Sequence, residues 1–181
     1  MAMDRRVRGA SRFELLVVLL IALVLLGAGL HRFREMQMAV ERTAVVSVLD
    51  TIRAGVWLEA AARIGTEGDG ALVRLAAENP FPPLHGAVPA YAGVVAGDYR
   101  NLQIGAWYFD SERKKILYQP RFSENFFTNE MTFDSVEFTI DAVYRESPAH
   151  GKVFEGMRLT GQCACGWLPK HYAVSPAGRK R

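Results

Sequence analysis

Gly9-Ala10-Ser11-Arg12-Phe13-Glu14, followed by Leu15 to Leu30 without a charge, is the stretch on which the fold turns. The uncharged run is 16 residues long. That is about 24 Å of α-helix at about 1.5 Å per residue, slightly short of a hydrocarbon core of about 30 Å. Bilayer thinning and Phe13 can absorb the difference, which sets the membrane segment at 13–30. A carboxylate at the edge of such a run costs roughly 2.5–3.5 kcal/mol toward the bilayer centre and is by default a functional residue with a partner. Glu14 therefore needs a compensating group. Arg5, Arg6 and Arg8 against Asp4 supply two of the three net positive charges of the chain. Cations placed before an apolar run hold the N-terminus in the cytoplasm and send the rest across. The basicity thus belongs to topology, and no nucleic-acid partner is expected. Arg179-Lys180-Arg181 closes residues 176–181, read as a solvated basic tail.

Beyond the apolar run, Val40, Ala44, Val45, Val48, Leu49, Ile52 and Val56 recur at steps of three and four, with Glu41, Arg42, Ser47, Asp50 and Arg53 between them. This is one apolar stripe on a helix otherwise facing water, and it needs a domain to cover it. The pattern predicts a single helix over 10–64, stopped by Gly65, Gly68 and Gly70, with a soft point or a close packing contact at Gly27 and Gly29. Residues 65–101, rich in Gly, Pro and Ala, read as a connecting region with a short helix at Ala71 to Glu78, ended by Asn79-Pro80-Phe81-Pro82-Pro83. Residues 102–175 read as a sheet. Ile104 to Phe109 and Lys115 to Gln119 form a hairpin, and Val136, Phe138, Ile140 and Ala142 alternate with polar residues. Phe154 to Thr160 and Lys170 to Val174 add two more strands. Trp107, Tyr108, Phe109, Tyr118 and Phe122 are assigned to core packing. The expected fold is α+β, a long N-terminal helix on a small antiparallel sheet of four to five strands.

Counted from Ala10, Glu14 is the fifth residue, and Gly9 stands just before the count begins. With the short basic leader Met1 to Gly9 and the helix opening Phe-Glu-Leu-Leu-Val-Val, this resembles the N-terminal signal of type IV pilins and type II secretion pseudopilins. The resemblance implies a leader of residues 1–9, cut between Gly9 and Ala10 by a prepilin peptidase that also N-methylates Ala10. It implies that Glu14 acts in subunit assembly. It further implies a single-pass protein of the bacterial inner membrane with its head periplasmic, polymerised into a pilus or pseudopilus. The partners implied are the peptidase, other pilin or pseudopilin subunits, the inner-membrane assembly platform and membrane lipid. No catalytic activity, cofactor or metal is expected. The chain departs from the family pattern at His31, where many major pilins have proline, and at Arg12, where a hydrophobic residue is usual.

Residues 1–30 admit two other readings. A secretory signal peptide would use Leu15 to Leu26 as its apolar core and Gly27-Ala28-Gly29 as a cut site, but it has no use for Glu14. A plain single-pass anchor would carry a periplasmic binding module, or an enzyme with an unrecognised site, that does not join a filament.

Catalytic signatures are absent: no nucleophile elbow, phosphate-binding glycine loop, HExxH or CxxC occurs. His31, His85, His150 and His171 are scattered. Cys163 and Cys165 form a C-x-C whose closure on itself demands strained geometry. In an oxidising compartment they pair under strain, pair with another subunit, or stay reduced, and His171 could join them around a metal. Major pilins often close a C-terminal disulfide loop with widely spaced cysteines; this chain cannot, which points to a minor or pseudopilin-type subunit. Asp98, Asp110, Glu112, Asp134 and Asp141 offer oxygen donors for calcium but fit no recognisable loop.

Overall fold

A computed structural model describes residues 11–68, 70–84, 86–123, 135–148, 151–162 and 167–172. The chain divides into two compact units, Met1–Val40 and Glu41–Arg181. The elements run in the order α1 (Arg12–Glu67), α2 (Gly70–Ala77), β1 (Tyr91–Val95), β2 (Trp107–Asp110), β3 (Lys115–Tyr118), β4 (Val136–Ser147) and β5 (Gly151–Gly161). The architecture is α+β, as the periodicities predict.

In the second unit, α1 buries Glu41, Val45, Val48, Leu49, Ile52, Val56 and Ala60. The spacing follows the helical repeat, so one stripe faces the sheet while the rest of the circumference stays wet. Val40 and Ala44, counted in the stripe from sequence, are exposed, and Glu41 takes their place. Against this stripe lie Trp107 and Phe109 of β2, Ile116 and Tyr118 of β3, Val136, Phe138 and Ile140 of β4, and Met157 and Leu159 of β5. Leu72 and Leu75 of α2 close one side of the same core. Alternation along each strand sends every second side chain inward, which is why these positions share one face.

The sheet has five strands in the order β1-β2-β3-β4-β5. Neighbours from β2 to β5 are antiparallel, with Phe109 opposite Ile116 and Ile116 opposite Phe138. β1 instead runs parallel to β2, so the sheet is mixed where an all-antiparallel one was expected. β1 lies within 65–101, read from sequence as connection; burial alternates along the edge strand Tyr91-Ala-Gly-Val-Val, with a bulge between Tyr91 and Gly93, but no polar residue stands at its outward positions to mark that alternation in the sequence. A parallel neighbour requires a crossover. The intervening chain lays Tyr99 and Leu102 over Tyr108, Leu117 and Ala106 on the other sheet face. The β2–β3 hairpin is consequently buried on both sides. Its first strand begins at Trp107, later than predicted, and Lys170 to Tyr172 form a turn where a strand was expected. Val174 lies outside the described residues.

Tyr118, Tyr172 and Tyr99 donate to carboxylates within this unit. Tyr118 Oη donates to Glu41 Oε1 at 2.9 Å, and Tyr172 Oη to Asp50 Oδ1 at 2.5 Å. Tyr99 Oη donates to Asp110, whose Oδ1 also accepts the backbone N–H groups of Glu112 and Arg113. Burial and then the carboxylate partner raise each phenol, Tyr99 to about 12. Desolvation opposes ionisation of Asp110, but the hydrogen bonds from Tyr99 and the turn amides prevail, so its carboxyl lies below the usual range.

Two tests follow from the packing. At Gly156, where β4 and β5 slip register, φ is +153° and an added Cβ would sit 2.4 Å from the Trp57 ring. Gly156→Ala should therefore lower the Tm through strain on the order of 1–3 kcal/mol, whereas an unchanged Tm would show that Trp57 moves aside freely. The raised phenols define a pH window. Their folded values exceed the unfolded value of 10.0, so the stabilisation is complete below it and declines as pH climbs through 10 toward 12. Denaturant unfolding at successive alkaline pH values, with phenolate absorbance recorded in parallel, checks this.

Candidate membrane and assembly site

The first described residue, Ser11, caps α1. Its carbonyl accepts the Leu15 N–H at 3.1 Å and its Oγ accepts the Glu14 N–H at 3.2 Å. Ser11-Arg12-Phe13-Glu14 thus has the serine half of a capping box, with Glu14 at the third helical position. A carboxylate in that first turn is also favoured by the helix dipole by about 0.3–1 kcal/mol. These local forces hold Glu14 in place but leave its carboxylate exposed at the helix mouth. Gly9 and Ala10, the predicted cleavage and methylation residues, lie outside the described residues.

From Phe13 to Leu30, thirteen large apolar side chains are exposed, with Phe13 at 76% and Leu25 at 67%. The best 18-residue window has a mean hydropathy of 2.8 and is 0% buried. At about 1.5–3 kcal/mol per fully buried side chain, leaving this face in water forfeits tens of kcal/mol, more than the net stability of about 5–15 kcal/mol of a whole domain. The helix is long and apolar enough to span a membrane, and being helical it satisfies its own backbone donors and acceptors there. Gly27 and Gly29 lie within α1 and nothing stands within 4 Å of an added Cβ at either. Past the run the composition turns polar, and Arg32 pairs with Glu35 at 2.9 Å.

Of the remaining sequence candidates, Asp98 and Glu112 line one hollow with Tyr99 and Arg100. Asp98 pairs with Arg100, Asp110 is occupied by Tyr99 and its own turn, Glu112 lies beside Gly97, and Asp141 is exposed on β4. Asp134, Cys163, Cys165, His85 and His150 lie outside the described residues. Among the described residues no group of three His, Cys, Asp or Glu could hold a metal ion. His31 and His171 are exposed and far apart in sequence, the latter tilted against Tyr172 with ring centres 4.2 Å apart.

One residue that sequence reading assigned to the solvent face proves central. Glu41 is 6% exposed, and its carboxylate accepts from Tyr118 Oη and from the backbone N–H groups of Arg121 and Phe122, the Arg121 bond at 2.6 Å. Its position four residues before Val45 is the signal that could have placed it on the buried stripe.

No protein-family model, curated protein or solved structure matches this chain. The long N-terminal helix with a small sheet is compatible with a pilin-like architecture.

Membrane insertion is checked by fractionation. The full chain should stay with membranes through alkaline carbonate extraction, and Leu20→Arg combined with Leu23→Arg should release it, each arginine adding about 2.5–3.5 kcal/mol near the helix centre.

Proposed function

We propose that this chain is a non-catalytic structural subunit of a type IV pilus or type II secretion pseudopilus. In this reading it is held in the inner membrane by α1 and cleaved after Gly9 before assembly. The observation that carries the reading is Glu14: a carboxylate in the first turn of α1, at the start of an exposed apolar segment and at a fixed distance from a Gly-Ala junction behind arginines.

Cleavage between Gly9 and Ala10 creates an α-amine one residue before the Ser11 cap. Its own helix disfavours that cation, because the N-terminal end of the dipole is positive. In a filament, the amine of one subunit meets Glu14 of a neighbour, and in apolar surroundings each charge neutralises the other. Removing one partner leaves the other buried and unpaired, so the pair selects correctly staggered neighbours. Arg12 competes with the amine for Glu14 or snorkels to the headgroups. Either behaviour suits a low-copy initiating or tip subunit better than a bulk one. The alternative, an anchored periplasmic binding module outside any filament, requires the leader to stay attached.

Intact mass of the protein from membranes of its native host separates these readings. We expect loss of residues 1–9 and a start at Ala10 bearing one methyl group. Glu14→Ala should still be cleaved yet fail to enter sheared filaments; an uncut wild-type chain, or normal incorporation of the variant, would remove the proposal.

A further inference from the structure

The first hydrogen bonds of α1 fix where the helix stops. Ser11 lies outside the helix and outside any turn, while its carbonyl accepts the Leu15 N–H and its Oγ accepts the Glu14 N–H. Ser11 is therefore the N-cap, and the intrahelical ladder opens with its carbonyl. The residues before it in sequence are Ala10 and Gly9. Alanine is the strongest helix former, so nothing in Ala10 itself opposes growth of the helix toward the leader. Glycine is an acceptable N-cap, close behind serine. Without the Ser11 side chain the helix has a second place to start, with Gly9 as its cap and Ala10 as its first helical residue.

The two starts differ at one carbonyl. An N-cap carbonyl accepts the N–H four residues on. A helix capped at Gly9 would therefore bond the Gly9 carbonyl to the Phe13 N–H, and that carbonyl belongs to the bond whose cleavage is proposed above. Hydrolysis adds the hydroxyl of water to the Gly9 carbonyl carbon and the remaining proton to the Ala10 nitrogen as the amide breaks. A peptidase stabilises the oxyanion of that step with donors of its own, and a carbonyl already held in a helical turn is turned away from them.

We infer that Ser11 is a positioning residue for this cleavage, its side chain ending α1 so that the Gly9–Ala10 bond stays off the helix and reaches the peptidase in extended form. The inference rests on the cleavage reading given under Proposed function. The same cap places Glu14 at the third helical position, within the turn where the helix dipole favours a carboxylate. A cap at Gly9 would move Glu14 to the fifth position, beyond that turn. One serine thus serves both the presentation of the bond and the placement of the glutamate.

The test follows processing of the full chain co-expressed with a prepilin peptidase, by pulse labelling and intact mass. Cap preference runs Asn, Asp and Ser above Thr and Gly, with all of these far above Ala. Ser11→Asn and Ser11→Asp should be cut at the wild-type rate, Ser11→Thr and Ser11→Gly slightly more slowly, and Ser11→Ala about fivefold more slowly, the fold-change that a cap of ordinary strength provides. In the uncleaved full chain in detergent micelles, the Ala10 Cα carbon resonance should move toward its helical range in Ser11→Ala and stay in place in Ser11→Asn. An unchanged rate for Ser11→Ala, or a slower rate without that shift, overturns the inference. Cleavage kept by Ser11→Thr but lost in Ser11→Asn, Ser11→Asp and Ser11→Gly overturns it too, since the peptidase would then be reading the hydroxyl and not the helix start. In each of these cases the wild type is still cut and the cleavage reading stands, whereas an uncut wild type removes both. Carbonate extraction of every variant checks that membrane insertion is unaltered.

Discussion

Everything after Val40 depends on the burial of one stripe of α1 beneath the sheet. Val45, Leu49, Ile52 and Ala60 are at most 1% exposed, and the inner faces of β2 to β5 close over them. Leu49 and Ile52 alone, if returned to water, would cost about 1.5–3 kcal/mol each before any cavity is counted. Among the described residues, α2 adds only Leu72 and Leu75 to the surface on which the four antiparallel strands rest. The helix therefore acts as the template on which the sheet is assembled.

Polar contacts fix the register of that template. A helix can rotate or slide against a sheet with little change in buried area, but a buried carboxylate tolerates few positions. Glu41 is satisfied by Tyr118 and by two amides just after β3, and a slip of one turn would strand it without partners. Asp50, itself exposed, accepts from the buried Tyr172, bringing the turn after β5 back onto the helix. Buried charges of this kind are weak sources of net stability but good sources of uniqueness. Tyr99 with Asp110 repeats the device on the opposite sheet face.

The first part of α1 obeys a different rule. Its side chains from Phe13 to Leu30 are apolar all round, so no single face is defined, and among the described residues no surface covers them. A helix of that kind calls for lipid or for other apolar helices, and the two demands can be met in succession by the same residues. Glu14 and its Ser11 cap are the exception within this uniform surface.

The apolar run, the glutamate at its mouth, the amphipathic stripe and the alternating strand at Val136 were all legible from residue order, because each is a local pattern whose period is set by backbone geometry. The parallel placement of β1 was not, since Tyr91 to Val95 forms a strand only because β2 is beside it. Nor was the burial of Glu41, whose partners lie 77 to 81 residues away and come together only when the hairpin closes on α1. The groove at β5 likewise joins Arg53, Arg158 and Lys170 from separate elements. Sequence alone determined that one helix must serve both an apolar surrounding and a sheet, because hydrophobic periodicity is written in consecutive residues. Only tertiary structure decided which charged groups are buried or paired, because electrostatic partners are chosen by distance in space.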